Sequence, residues 1–306
     1  MNQINKYSSV EWYIEEIKKI VVHKNTFFKN IDKKYKEHEH EFSKYLSDHG
    51  VSLNNFTHKI CDSIFENFIV AEYADLERLL TIKYNIDDKI PQLFKKVYGK
   101  FSKNNINNLI IEKSHILVCP YCNENFITNR GNTHTSAQLD HFFDQSSNPL
   151  FSICLYNLIP CCPTCNHIKT NSPLLVSPFN SSINRNQFKI TYSPTTAEFI
   201  TANNAVSIDF LAEGDDGEKI LKDIKQLDID QSYKYHNEYL TELLKKAHFY
   251  NHSQIKELKE LFGNEISSEE ELNRLIFGNY TDSENINSRP LSKLTQDILK
   301  ELKIIE

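Results

Sequence analysis

Glycine is scarce in this chain of 306 residues, which has seven of them beside nine prolines, one methionine and one tryptophan. So few glycines disfavour folds built from many tight turns between strands and favour helices. Long apolar runs are missing too, since none approaches the roughly 20 residues a membrane helix requires. The first residues, Met1-Asn-Gln-Ile-Asn-Lys-Tyr7, lack the apolar core of a signal peptide. A cytoplasmic protein without membrane contact is expected. Nor does charge of one sign accumulate: the formal net charge is -6. Residues 1–118 carry 18 Lys and Arg against 16 Asp and Glu, residues 119–170 carry 2 against 3, and residues 171–306 carry 15 against 22. The absence of a basic tail argues against tight, autonomous binding of nucleic acid through charge, and leaves room for a local patch. Seven cysteines are an odd number, and in a reducing compartment thiols stay free or bind metal.

What is present is mostly helical periodicity. Val10, Ile14, Ile17, Ile20 and Val21 recur at helical spacing with charged residues between them. Further helices are expected over residues 30–46, 53–68, 71–84 and 88–101, the last with Asp87 or Asp88 as its cap and Pro91 in its first turn. Residues 103–108 read as a polar connection or weak helix end, and residues 115–118 as a short strand. Residues 137–143 form a candidate strand, and residues 168–171 a short helix broken by Ser172-Pro173. Residues 187–192 and 205–211 alternate as an antiparallel pair would. Helical spacing returns from Gly217, over residues 235–249, 252–262, 269–277 and 291–305. The expected organisation is a helical N-terminal region over 1–114, a core over 115–180, and a small β pair followed by helices over 181–306. The fold class is mainly α with a small α+β centre.

That centre holds the chemistry. Cys119-Pro-Tyr-Cys122 and Cys162-Pro-Thr-Cys165 are two Cys-x-x-Cys turns, and each turn lets two thiolates converge on one ion. Together they predict a closed structural Zn²⁺ site that pins distant segments together. Cys161 lies beside Cys162 and competes with it; the x-x spacing favours Cys162. Between the pairs lie Leu139-Asp140-His141-Phe142 and Tyr156-Asn157-Leu158-Ile159-Pro160, and after them Asn166, His167 and Lys169.

Leu139-Asp140-His141, Asn157-Leu158 and Cys165-Asn166-x-x-Lys169, bracketed by the cysteine pairs, resemble the HNH endonuclease motif, the ββα-metal or His-Me finger. The resemblance implies two strands and a helix around a catalytic Mg²⁺ or Mn²⁺, with His141 as general base and Asp140 as a metal ligand. It implies further that Asn157 orients the base and that Asn166 is the second metal ligand. Physical chemistry agrees on the base, because phosphodiester hydrolysis near neutral pH needs a group whose pKa of about 6.5 suits taking a proton from water. Asp140 and His141 point to opposite faces of a regular strand, so a twist or bulge is needed to bring both to one site. Asn166 and His167 differ by about 100° around a helix, so only one of them faces the ion. Alignment favours Asn166, ligand chemistry favours His167. Lys169, on the face of Asn166, is either a phosphate contact or a solvated helix-end lysine.

The phrases Leu139-Asp-His-Phe-Phe143, Ser152-Ile-Cys-Leu-Tyr-Asn-Leu-Ile-Pro160 and Arg289-Pro-Leu-Ser-Lys293 further resemble bacterial HNH proteins of anti-phage defence loci, among them Septu-type nucleases that work beside an ATPase. This implies a nuclease of antiviral defence acting on nucleic acid, DNA before RNA, with an ATPase partner. Two other readings stay open: a non-enzymatic zinc module that binds nucleic acid or protein, and an RNA-cleaving toxin nuclease. His38-Glu39-His40 lacks the spacing of a zinc-protease helix and reads as solvated; His134 reads as a loop histidine. The aromatic run Tyr233, Tyr235, Tyr239, Phe249 and Tyr250 reads as core and interface.

Overall fold

The computed structural model describes residues 1–22, 68–80, 89–131, 134–195 and 206–305. The helices expected over 30–46 and 53–68, the cap at Asp87 or Asp88, Cys61 and the His38-Glu39-His40 cluster lie outside these residues, apart from the end of the second helix at Phe68. Within them the chain is a mixture of α-helices and two-stranded sheets. No helix among the described residues is long and apolar enough to cross a membrane.

Helix α1 (Glu11–Val22) buries the stripe the periodicity predicts, with Tyr13, Ile14, Ile17 and Ile20 facing inward. Each such side chain contributes roughly 1.5–3 kcal/mol by leaving water. The Tyr13 hydroxyl reaches the centre of the molecule and donates to the Ile153 carbonyl at 2.7 Å. Helix α2 (Tyr73–Leu80) buries Tyr73, Leu76 and Leu79. Helix α3 (Lys89–Tyr98) packs on the 3₁₀ turn Pro149–Ile153. The asparagine-rich stretch expected to be a connection instead runs into helix α4 (Ile106–Ser114). Burial of Ile106, Ile110 and Ile111 on one face outweighs the low helix propensity of Asn.

Residues 115–118 do not form the expected strand. Val118 makes an isolated bridge to Phe126, because the N–H groups of Leu117 and Val118 both donate to Asn287 O of a distant loop. A short hairpin, β1 (Asn129–Arg130) and β2 (His134–Thr135), follows. Strands β3 (Gln138–His141) and β4 (Leu158–Cys161) then pair antiparallel, with Asp140 opposite Ile159 and His141 opposite Leu158. Helix α5 (Pro163–Lys169) begins five residues earlier than expected. Pro163 suits a first turn, and the Cys162 Sγ caps it by accepting from Cys165 N–H at 3.4 Å.

The alternating segments pair as predicted: β5 (Phe188–Pro194) runs antiparallel to β6 (Val206–Ala212). Helix α6 (Gly214–Gln226) crosses this pair so closely that a Cβ on Gly217 would lie 2.2 Å from Gln187 O. The short helix α7 (Ile229–Ser232) leads to α8 (Asn237–Phe249), α9 (His252–Phe262), α10 (Glu269–Phe277) and α11 (Ser292–Glu301). Of the aromatic run, Tyr233 is buried, while Tyr235 and Phe249 are exposed.

One hydrophobic cluster joins all three regions of the chain, from Ile4 and Tyr13 through Tyr156 and Ile159 to Leu294 and Ile298. Backbone bonds reinforce it: Asn2 N–H donates to Pro120 O at 2.7 Å, and Leu291 N–H to Asn123 O at 2.7 Å. Both bonds converge on the first cysteine turn.

Candidate functional site

The two Cys-x-x-Cys turns meet. Cys119, Cys122, Cys162 and Cys165 are all buried, and their sulfur atoms lie within 4.8 Å of one another. A tetrahedron of four thiolates at about 2.3 Å from a zinc ion has sulfurs about 3.8 Å apart, and the Cys122 and Cys162 Sγ atoms are separated by 4.0 Å. The donor set therefore fits a metal ion such as zinc. Cys161, also buried, stands outside the cluster. Asn125 Nδ2 lies 3.7 Å from Cys122 Sγ and 3.6 Å from Cys162 Sγ, hydrogen bonds that favour thiolate over thiol. Burial first, then hydrogen bonding among the thiols, holds Cys119 well above the ordinary thiol range. Hydrogen bonds from the other three thiols hold Cys162 well below it. The helix that Cys162 caps adds a favourable dipole end to that negative charge.

Beside the thiols, the β3–β4 hairpin and α5 present the remaining predicted residues on two separate faces. Gln138 and Asp140 alternate on the face toward α5. There Asn166 Nδ2 donates to Gln138 Oε1 at 2.7 Å. Lys169 Nζ donates to Asp140 Oδ1 and to His141 O, each at 2.9 Å. The second carboxylate oxygen, Oδ2, accepts from the Tyr121 hydroxyl at 2.6 Å. Asp140 is 3% exposed and Lys169 1%, so the pair is a buried ion pair. Lys169 is therefore neither a solvated lysine nor placed to meet a substrate at the surface. His167 is exposed on the far side of the helix.

This arrangement bears directly on the expected divalent ion. Both oxygens of Asp140 are engaged by protein groups, one of them by an ammonium, whereas Asn166 commits only its Nδ2, to Gln138, and keeps its Oδ1 free. The four thiols are the one cluster of three or more His, Cys, Asp or Glu among the described residues able to hold a metal. As packed, the residues do not form a coordination set for Mg²⁺ or Mn²⁺: such an ion keeps several waters but is usually held by one or two carboxylates, and the carboxylate of Asp140 is occupied on both oxygens.

The imidazole of His141 occupies the opposite face. Its Nε2 lies 3.0 Å from Ser152 O, and the edge of Tyr98 packs on the ring with centroids 4.4 Å apart. A carbonyl can only accept, so Nε2 carries the hydrogen and Nδ1 keeps a lone pair. Desolvation dominates the ring's environment and lowers its pKa below 6.5, so the imidazole is neutral at pH 7. Burial raises the Tyr98 hydroxyl to about 12.

Asn157 is fully buried and makes no hydrogen bond to the His141 ring. Its Oδ1 accepts from Phe143 N–H at 2.8 Å, and its Nδ2 donates to Phe143 O at 3.2 Å and Phe151 O at 3.0 Å. It holds the turn after β3 against the segment whose next carbonyl, Ser152 O, receives the imidazole.

Three residues at the site carry no motif signal. Tyr121 lies inside the first Cys-x-x-Cys and could be marked only as a polar aromatic needing a partner. Tyr98 comes from a helix more than forty residues away. Asn123 follows Cys122 with a φ of 56°. It donates to Ile286 O at 2.9 Å and accepts from Lys293 N–H at 2.9 Å, which fastens the cysteine turn to the loop before α11 and to the first turn of that helix. No protein-family model, curated protein or solved structure matches this chain.

Proposed function

We propose that the chain is an HNH-type endonuclease that hydrolyses phosphodiester bonds of nucleic acid, DNA before RNA, as the effector of an anti-phage defence system with an ATPase partner. The observation that carries the reading is the placement of His141 at the end of β3, in a hairpin followed directly by a helix and bracketed by four convergent thiols. Its neutral imidazole, with Nε2 committed to Ser152 O, has Nδ1 available to take a proton from water; the resulting hydroxide attacks phosphorus, the bond from phosphorus to one bridging oxygen of the strand breaks, and that oxygen leaves as an alcohol after taking a proton from solvent. The thiol cluster is read as a structural zinc site. The resemblance brings a Mg²⁺ or Mn²⁺ at Asp140 and Asn166; the packing offers no free ligand set for it, and no step of this reaction is routed through it.

The engagement of Asp140 by Lys169 and Tyr121 favours a second reading, the non-enzymatic zinc module in which this pair only holds the fold. One experiment separates them. Purified protein, alone and with candidate ATPase partners, is incubated with plasmid DNA, single-stranded DNA, tRNA and rRNA, with and without Mg²⁺ or Mn²⁺. Cleavage that disappears in His141→Ala, while zinc content and melting temperature are retained, supports the nuclease. Cleavage confined to tRNA or rRNA selects the toxin reading. Absence of cleavage under every condition leaves the zinc module.

A further inference from the structure

The local cationic patch that the overall charge leaves room for lies on α3 and the turn after it. From Lys89 to Ile111 the sequence has five lysines and no aspartate or glutamate, although acids outnumber bases 41 to 35 over the whole chain. Lys96 and Lys103 are exposed and Lys95 is half-buried. None of the three forms an ion pair or a side-chain hydrogen bond with a described residue. A polyanion therefore meets their charge without first breaking an internal ion pair. Asp144, which follows β3, is turned to its own loop: its Oδ2 accepts from the Ser146 hydroxyl at 2.5 Å and from Ser147 N–H at 2.8 Å.

Packing ties this patch to the proposed base. Helix α3 rests on the 3₁₀ turn Pro149–Ile153, whose Ser152 O holds the His141 ring at 3.0 Å. Tyr98, at the end of the helix, packs on that ring with centroids 4.4 Å apart. Lys95 stands three residues before Tyr98, so the two are neighbours on one helical face. The Tyr98 hydroxyl has no hydrogen-bond partner among the described residues and is not sealed from solvent. Burial raises it to about 12, so it keeps its proton and offers a donor. Unpaired cations along a surface, with an uncharged O–H donor among them and no carboxylate, supply the contacts that proteins make to the phosphates of a nucleic-acid strand.

We propose that the end of α3 and the turn after it are the docking face for a nucleic-acid strand, with Lys95, Lys96 and Lys103 meeting its phosphates and the Tyr98 hydroxyl donating to the phosphate beside His141. This rests on the substrate class of the proposed function and not on cleavage.

The test is fluorescence anisotropy of a labelled single-stranded DNA and of its RNA counterpart, titrated with the full chain over a range of NaCl without divalent ions. Loss of three phosphate contacts lowers the slope of log K against log salt by roughly two to three and weakens binding about tenfold or more at ~0.1 M salt. That is the result expected for Lys95→Gln/Lys96→Gln/Lys103→Gln at an unchanged melting temperature. The pair Lys96→Gln/Lys103→Gln, both exposed, gives the same change on a smaller scale. Tyr98→Phe removes an uncharged contact, so affinity falls by roughly threefold to tenfold while the slope stays as it was. The same charge change in the C-terminal region, Lys234→Gln/Lys256→Gln/Lys300→Gln, leaves both affinity and slope unchanged. No binding by wild type at low salt, an unaltered triple variant, an equal loss in the C-terminal control, or polyglutamate competing as well as a polynucleotide of the same charge would each overturn the docking face. Binding lost in the triple variant of a protein that cuts nothing keeps the face and ends the nuclease reading. Cleavage whose KM is unchanged in the triple variant keeps the nuclease and ends the face.

Discussion

At the scale of residues, the environment of His141 sets a pH limit that can be measured. Desolvation lowers its pKa below 6.5, and a base works only when neutral. Under the proposed function, cleavage rises with pH through a midpoint below 6.5. A pH–rate profile whose acidic limb is centred above 6.5 would contradict this. The same shift makes a stability statement: the unfolded chain takes up the proton more readily, so the contribution of this residue to stability is lost as pH falls below 6.5. Across the strand, Lys169→Met leaves Asp140 as a buried carboxylate without its counter-ion, at a cost of about 3–5 kcal/mol. Adding Asp140→Asn to that variant removes the stranded charge and should recover most of the loss. Denaturant unfolding of the single and double variants tests the pair. A single variant within about 1 kcal/mol of wild type would show that the carboxylate is not buried with the lysine.

The four cysteines, the aspartate and the histidine were legible because their spacing is short and their chemistry specific. The partners that decide what they do were not. That Lys169 turns inward to Asp140 depends on the angle at which α5 crosses β3, and that angle is written in packing rather than in the motif. Strand alternation did foretell that Asp140 and His141 face opposite ways. It could not say that Tyr121 would claim the second oxygen of Asp140.

At the scale of elements, irregular segments rather than helices fix the position of the site. Asn123 ties the first cysteine turn to the loop before α11 through Ile286 O and Leu291 N–H and to the first turn of α11 through Lys293 N–H. Asn123→Ala removes both side-chain bonds and places a Cβ without them at φ 56°, costing about 2–3 kcal/mol. Asn123→Gly, which tolerates that conformation, should lose about 1 kcal/mol less, and thermal unfolding of the two variants gives the difference. A second such tie is Asp223 of α6, which accepts from Leu175 N–H at 2.8 Å and from Val176 N–H at 2.8 Å. Burial outweighs these bonds and raises its pKa to about 6. A folded pKa above the unfolded one means that the contribution is full below about pH 4 and is lost as pH rises through about 6. Asp223→Asn should flatten the pH dependence of stability across that interval, and a curve parallel to wild type would refute it. Periodicity located α9, α10 and the β5–β6 pair, since their apolar faces are regular. It missed α4, whose asparagines disguise a buried isoleucine face, and it took 115–118 for a strand, where the hydrogen-bonding partner is a loop 170 residues away.

At the scale of the whole molecule, the thiol cluster is a junction. The N-terminal segment bonds to Pro120, the C-terminal loop bonds to Asn123, and Tyr233 donates to Cys122 O at 2.7 Å. Loss of a metal there would release three parts of the chain at once rather than fray one hairpin. If the cluster holds zinc as proposed, the protein contains one equivalent per chain, and the binding free energy is part of the folding free energy. Chelation should then lower the melting temperature and broaden the transition, with loss of tertiary signal in the near-ultraviolet. Cys119→Ser and Cys165→Ser should each lose the metal. Cys161→Ser, outside the cluster, should retain it. Elemental analysis of the three variants is decisive on this point: metal retained in Cys165→Ser but lost in Cys161→Ser would reassign the fourth ligand. A full metal complement whose removal leaves the melting curve unchanged would mean that hydrophobic packing, and not the ion, holds the three regions together.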